Sequence, residues 1–235
     1  MAPNFKELQD TFEQPAGFRL CLLFVGALAF GMTSLWLPFE QYNHIIIHSD
    51  YPKFYWFTLK QTQWLLEYGT PFGSAPLIHN GMPGYFFLRT GFIFYLPFYL
   101  LFGAQLGYAL MLCSACVGFS LGVFCLLDRL LDLRLFAFIF ALFTTLGLGL
   151  TDYIAVGMTP YILAMTGNVW LLYFFALFYD GQTKALYIAT LLAAALVYTH
   201  VASLVGIALP TLIIFIWKAR HDFENAYLKK HFGGC

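Results

Sequence analysis

The sequence predicts an all-α fold, that of a polytopic helical membrane protein with about six transmembrane helices. Three observations lead to this prediction: 60% of the 235 residues are hydrophobic, only 10% are charged, and the mean hydropathy is +0.73. Soluble domains carry about 25% charged residues, because a surface that meets water must be polar. With so few charges, most of the outer surface must face lipid.

Six apolar runs are candidates for crossings, each of which needs about 20 residues. They are Leu20–Pro38, Leu106–Leu127, Leu135–Leu150, Tyr161–Tyr179, Ala185–Tyr198 and Val201–Trp217. The last two form one continuous run that is too long for a single helix, and we expect it to turn at His200. The net charge is zero and the basic residues are scattered, so the sequence predicts no nucleic-acid partner.

The number of crossings depends on Tyr85–Phe102, an apolar segment with Arg89 near its start and Pro97 inside it. If this segment crosses fully, the basic clusters alternate between the two sides of the membrane. If it lies in the interface, or enters and returns, they all fall on one side, as the positive-inside rule requires of the cytoplasmic face. We therefore expect six crossings and a cytoplasmic N-terminus.

This topology divides the chain into a cytoplasmic segment at 1–18, a membrane domain at 19–218 and a cytoplasmic tail at 219–235. A long external loop at 39–105 follows the first crossing and is expected to hold interfacial helices.

One of these, Tyr51–Tyr68, is predicted to be amphipathic. Its apolar residues recur near helical spacing with polar residues between them, and Gly69-Thr70-Pro71 ends it. The apolar set is Phe54, Phe57, Leu65 and Tyr68, and the polar set is Lys53, Lys60, Gln61 and Glu67.

Two aspartates on the predicted external side are the candidate catalytic residues. Asp50 directly precedes the amphipathic helix, and Asp152 lies at the outer end of another span. A carboxylate beside lipid can accept a proton from a hydroxyl group or bind a metal ion. The structural alternatives are that Asp50 caps the helix that follows it and that Asp152 begins a turn.

His48 and Asp50, with His44, form a candidate metal site. The three side chains share one face in an extended strand, and His44 and His48 also have helical spacing. The alternative is that these histidines lie in the membrane interface without a metal.

Three more residues are candidates for substrate binding. His200 lies at the rim of a span, where an ionisable group is costly unless it is paired or lines a cavity. Arg89 either binds a phosphate through its guanidinium fork or extends to lipid headgroups. His79 precedes the Asn80-Gly81 turn and either contacts substrate or is solvated.

Several short motifs follow one another in the external loop. They are Asp50-Tyr51-Pro52, Leu65-Leu66-Glu67-Tyr68-Gly69-Thr70-Pro71, Gly81-Met82-Pro83-Gly84-Tyr85, Phe94-Tyr95-Leu96-Pro97 and Leu101-Phe102-Gly103. With these motifs the chain resembles, over about residues 19–218, the N-terminal module of the GT-C superfamily of membrane glycosyltransferases. In detail it is similar to bacterial membrane proteins labelled as pyruvoyl-tetrahydropterin-synthase-related.

The resemblance implies transfer of a sugar from a polyprenyl-phosphate donor to an acceptor on the non-cytoplasmic face of a bacterial plasma membrane, with inversion at the anomeric carbon. Asp50 takes the place of the catalytic base or of a ligand to Mg²⁺ or Mn²⁺, and Asp152 that of the second acid. Arg89 and Lys53 are then candidates to bind the phosphate.

Members of the superfamily are considerably longer than this chain. We therefore expect either a fragment that lacks a C-terminal half or a shortened homologue that needs a partner subunit. The alternative function is a non-catalytic membrane module: a scaffold, a lipid-binding protein or a partner-dependent subunit.

Overall fold

The described part of the protein is entirely helical. A computed structural model describes residues 12–36, 51–73, 91–131, 133–147 and 159–199, with the single positions Ile213, Ile216 and Arg220. These stretches hold seven helices and no strand: α1 Pro15–Trp36, α2 Tyr51–Tyr68, α3 Gly91–Phe102, α4 Ala104–Leu131, α5 Arg134–Leu146, α6 Thr159–Tyr179 and α7 Thr183–Thr199. The predicted all-α class is confirmed for these residues.

Three of these helices are long and apolar enough to cross a membrane: α1 (over Pro15–Ser34), α4 and α6. Large apolar side chains also point outward from the bundle; Leu23, Leu101, Phe143 and Leu191 are each more than 70% exposed. Such a surface is unfavourable in water and suits lipid. The protein therefore has the character of a membrane protein.

The remaining apolar helices α3, α5 and α7 are shorter than a crossing normally requires. The predicted span Leu135–Leu150 appears as a helix of 13 residues, about 20 Å long at 1.5 Å per residue. It ends at Leu146 because Gly147 has an extended backbone. The predicted span Val201–Trp217 and its turn at His200 lie outside the described residues, so the count of six crossings stays a prediction.

Helix α2 has the predicted bounds, but two of its residues were assigned to the wrong face: Gln61, and Tyr68 of the apolar set, which is 70% exposed. The helix ends at Tyr68, where Gly69 adopts the left-handed conformation with φ +71°. Gln61 was expected on the polar face and is instead only 2% exposed. It lies one and two turns beyond Phe57 and Phe54, so all three share the buried face.

Helix α3 folds back along the first half of α4. The two are separated only by Gly103, whose positive φ of +76° turns the chain. The Tyr95 hydroxyl donates to the Ala104 carbonyl at 2.5 Å, and a Cβ on Gly107 would lie 2.7 Å from the Phe98 carbonyl oxygen. The glycine therefore allows the two backbones to touch.

Helix α4 is the centre of the bundle and packs against α1, α3, α5 and α6. It runs antiparallel to α1, since Phe124 stacks near Phe18 while Val117 lies beside Gly26. Helix α6 runs parallel to α4, and α7 returns antiparallel to α6 after a turn at Gly181, with Leu196 packed on Gly167.

Small residues bring α4 and α6 into close contact. A Cβ on Gly122 would lie 2.9 Å from Val169, so a larger residue there would push the helices apart. The Trp170 indole N–H donates to the Gly118 carbonyl at 2.8 Å, and Thr166 Oγ1 lies 2.8 Å from the Ala115 carbonyl. Close backbones joined by short hydrogen bonds are typical of helix pairs in membranes.

Charged side chains gather at one end of the bundle, the charged end, formed by Glu13, Asp128, Arg129, Arg134 and Asp180. The Arg134 guanidinium donates to Asp128 at 3.0 Å and to the Phe12 carbonyl at 2.9 Å. Arg129 pairs with Asp180 at 2.6 Å. These ion pairs join the ends of α4 and α6 and the start of α5 at one end of the bundle.

We expect Gly107→Ala to destabilise the protein by about 1–3 kcal/mol, because the new methyl group meets backbone that cannot move aside. The measurement is the thermal unfolding midpoint in one detergent. Gly31→Ala is the matched control, since a Cβ there meets nothing within 4 Å. If the two variants unfold at the same temperature, the close contact between α3 and α4 is wrong.

Single cysteines at Leu133 and Gln182 should be labelled by a membrane-impermeant thiol reagent from the same side, and one at Gln105 from the opposite side. All three positions are exposed. Leu133 follows the end of α4 and Gln182 follows Asp180 at the charged end, whereas Gln105 lies in the first turn of α4. The background carries Cys125→Ser and Cys235→Ser, because Cys125 is only partly buried; Cys21, Cys113 and Cys116 are buried. Labelling of Leu133 and Gln182 from opposite sides would contradict the arrangement.

Candidate functional site

A small pocket of about 20 Å³, which we call the polar pocket, lies at the end of the bundle opposite the charged end and has room for about one water molecule. It forms where α2 meets the first turns of α3 and α6 and the last turn of α7. Its polar lining comes from Lys53, Thr58, Gln61, Thr159 and Thr199. Four of these five side chains are buried and Lys53 is exposed, so the pocket opens beside an ammonium group.

Helices α2 and α6 approach α3 at Gly91, which lines this pocket. A Cβ at Gly91 would lie 3.6 Å from Leu163 and 3.8 Å from the Thr58 hydroxyl oxygen, in ordinary contact with both. Lys53 Nζ lies 5.5 Å from the centre of the Phe54 ring. This cation–π contact stabilises the ammonium group at the edge of the pocket.

A cluster of tyrosines fixes the position of α2 and α3 on α4. The Tyr108 ring lies 5.1 Å from Tyr55 and 5.8 Å from Tyr95, both edge to face. The Tyr108 hydroxyl is 2.5 Å from Thr159 Oγ1, which joins α4 to the pocket end of α6. Burial, and secondly the Tyr99 hydroxyl, raise the pKa of Tyr55, so its phenol stays protonated at neutral pH.

Of the predicted site residues, only Lys53 lies within the described part of the protein, and it lines the polar pocket. The other predicted residues lie outside the described residues: Asp50, Asp152, Arg89, His200, His79 and His48. Their roles stay predictions.

Four of these positions lie between one and seven residues along the sequence from described residues that line the pocket. Lys53 follows Asp50 by three residues, Gly91 follows Arg89 by two, Thr159 follows Asp152 by seven, and His200 directly follows Thr199. Each of the four described neighbours lines the pocket.

No group of three or more His, Cys, Asp or Glu residues that could hold a metal ion occurs among the described residues. The described pocket lining offers hydroxyl and amide oxygens but no carboxylate. These groups do not by themselves fit Mg²⁺ or Mn²⁺, which favour carboxylate ligands. The metal prediction therefore rests on Asp50 and His48 alone.

The sequence reasoning missed the threonines and Gln61 as lining residues. A threonine in the sequence gives little indication that it lines a cavity, because the hydroxyl group of a threonine in a membrane helix often donates to a carbonyl group of the same helix. Thr199, for example, donates to the Ala195 carbonyl at 2.9 Å. Only the packing of α2, α6 and α7 shows that these residues share a cavity.

Comparison of the chain with protein-family models, with curated proteins and with solved structures gives no match. The likeness to the GT-C superfamily therefore rests on the sequence motifs alone.

The hydrogen bond between Tyr108 and Thr159 should be measurable in a double-mutant cycle. We expect Tyr108→Phe and Thr159→Val each to cost about 1 kcal/mol of stability, because each leaves a buried hydroxyl or its partner unmatched. The coupling between them should be about 0.5–1.5 kcal/mol. The control is Tyr68→Phe, an exposed tyrosine whose loss should have no effect. Additive effects of the two buried variants would argue against the hydrogen bond.

Proposed function

We propose that the protein is a membrane glycosyltransferase of the GT-C type, which transfers a sugar from a polyprenyl-phosphate donor to an acceptor on the non-cytoplasmic face of a bacterial membrane. The observation that supports this best is the polar pocket, which is lined by residues close in sequence to Asp50, Arg89, Asp152 and His200. In a chain with so few polar residues, the place where a lysine, an amide and three hydroxyl groups converge is the natural candidate for chemistry.

In this proposal Asp50 acts as the base. The acceptor hydroxyl oxygen forms a bond to the anomeric carbon while the bond from that carbon to the phosphate oxygen breaks. The proton passes to the Asp50 carboxylate, and polyprenyl phosphate leaves with the bonding electron pair. A single displacement of this kind inverts the anomeric carbon. Asp152 takes the role of the second acid in the site.

The cationic side chains assist the leaving phosphate. Lys53 presents an ammonium group at the pocket edge, and Arg89 would add a guanidinium fork, which suits phosphate oxygens. His200 and His79 would contact the sugar or the acceptor. Where a divalent ion is bound by Asp50 and His48, it would supply further stabilisation of the phosphate charge.

The charged end supports the orientation. Arg129, Arg134 and Lys184 carry the positive charge that is typical of a cytoplasmic face, so the polar pocket is proposed to open on the opposite side with the N-terminus in the cytoplasm. The donor would then be met in the outer leaflet of the plasma membrane.

A non-catalytic lipid-binding module is the second candidate. The described pocket lining favours it, because that lining holds one ammonium group, hydroxyl groups and an amide but no carboxylate. Such a lining can bind an anionic ligand without acting on it.

The test is transfer of labelled sugar from a panel of polyprenyl-phosphate hexoses by the full chain in liposomes. Asp50→Asn should lower the rate by about 10²–10⁴-fold, the usual contribution of a general base. Asp180→Asn is the matched control, because Asp180 lies at the charged end. Equal transfer by wild type and Asp50→Asn would remove Asp50 as the base. Absence of transfer with every donor would favour the lipid-binding module.

A further inference from the structure

The polar pocket combines a small volume with a polar lining. Its volume of about 20 Å³ exceeds the roughly 10–15 Å³ that one water molecule needs in a protein cavity. Cavities that stay empty are apolar, whereas hydroxyl and amide groups of α2, α6 and α7 line this one. The pocket therefore has both the size and the lining of a site for a single water molecule.

The Thr58 hydroxyl group is buried at this pocket without a described partner. Thr58 is only 8% exposed, and a Cβ on Gly91 would lie 3.8 Å from its hydroxyl oxygen. Buried threonines elsewhere in the bundle, Thr62 and Thr145 among them, donate to the carbonyl group four residues earlier. The Thr58 hydroxyl makes no such bond, and no other described group bonds to it. A buried hydroxyl group of this kind is destabilising unless a ligand pairs with it.

Thr199 lines the same pocket with an oxygen atom that can only accept a hydrogen bond. It already donates its proton to the Ala195 carbonyl at 2.9 Å, so only the lone pairs of the oxygen are left for a ligand. Thr58, by contrast, still has a proton to donate. A ligand between the two must accept a hydrogen bond from Thr58 and donate one to Thr199. A water molecule does both.

The charge around the pocket favours a neutral ligand over an ion of similar size. Lys53 is the single charged residue in the described lining, and its ammonium group repels a cation. A halide ion would suit the ammonium group, but it has no proton to donate to the Thr199 oxygen. Water is therefore the occupant that fits all of these neighbours.

We propose that the polar pocket binds one ordered water molecule, which accepts a hydrogen bond from Thr58 and donates one to Thr199. The water thereby joins α2 to the last residue of α7 across the pocket. The amide of Gln61 and the hydroxyl oxygen of Thr159 line the same space and are its further neighbours. This site is structural, and it is independent of sugar transfer.

The test is radiolytic footprinting of the full-length protein in detergent, read by mass spectrometry. X-rays generate hydroxyl radicals from bound as well as bulk water, and the radicals oxidise the side chains beside that water. Phe57 lines the pocket and is only 7% exposed, so we expect it to be oxidised in spite of its burial. Phe119 is the matched reference, because it is 8% exposed and does not line the pocket. It should stay almost unmodified.

Two variants remove the water by different means. Thr58→Val keeps the branched side chain and removes the hydroxyl group that donates to the water. Gly91→Ala adds a methyl group that meets Leu163 and Thr58 only in ordinary contact and takes up space in the pocket. In both variants the oxidation of Phe57 should fall to the level of Phe119.

Thr190→Val is the matched control variant. Thr190 also lies on a described helix, α7, but it is exposed and donates to the Leu186 carbonyl at 2.9 Å. It does not line the pocket. The oxidation of Phe57 should therefore be the same in this variant as in the wild type.

Equal oxidation of Phe57 and Phe119 in the wild type would overturn the proposal without the need for any variant. So would oxidation of Phe57 that is as strong in Thr58→Val as in Thr190→Val. These outcomes are distinct from failure of the proposed function, because the footprint is measured without donor or acceptor. A footprint at Phe57 without sugar transfer would leave the water site intact and remove the transferase, and transfer without the footprint would do the reverse.

Discussion

The polar groups of this chain must find partners within the protein, because the surroundings of its apolar helices offer none. Helix α4 supplies many of these hydrogen-bond partners. Its backbone carbonyls accept from Thr166 and Trp170 of α6, and its Ser120 hydroxyl accepts from Thr145 of α5. Because so many helices pack against α4, the rest of the bundle depends on these bonds and on the small residues that allow them.

The same constraint divides the molecule into two unlike ends. At the charged end, Arg134 ties the start of α1 to the end of α4 through Asp128 and the Phe12 carbonyl. At the opposite end, hydroxyl groups and aromatic rings replace charges, and the Tyr108 hydroxyl meets Thr159. A polar pocket can persist there because its walls are satisfied by short neutral hydrogen bonds, while its opening carries one ammonium group.

The prediction of the polar face of α2 shows how tertiary packing overrides local pattern. Lys53 and Glu67 are exposed, as an amphipathic helix requires, but Gln61 and Thr62 are buried with Phe57. Thr62 can be buried because its hydroxyl donates to the Thr58 carbonyl of the same helix at 2.8 Å, and Gln61 lines the polar pocket. Sequence periodicity contains no information on either arrangement. The sequence therefore predicted the bounds of α2 correctly and the content of its inner face only in part.

The sequence by itself determined the all-α class, the membrane character and the position of most helices, since these depend on the length and composition of apolar runs. The prediction that all the basic clusters lie on the cytoplasmic side stays a prediction. The sequence identified Lys53 as a candidate for binding, whereas the roles of Asp50 and the other predicted site residues stay predictions. Only the tertiary structure decided that Thr58, Thr159 and Thr199, from three different helices, enclose one pocket. The physical reason is that a cavity is formed by residues distant in sequence, and their meeting depends on how α2, α6 and α7 pack, which no local pattern records.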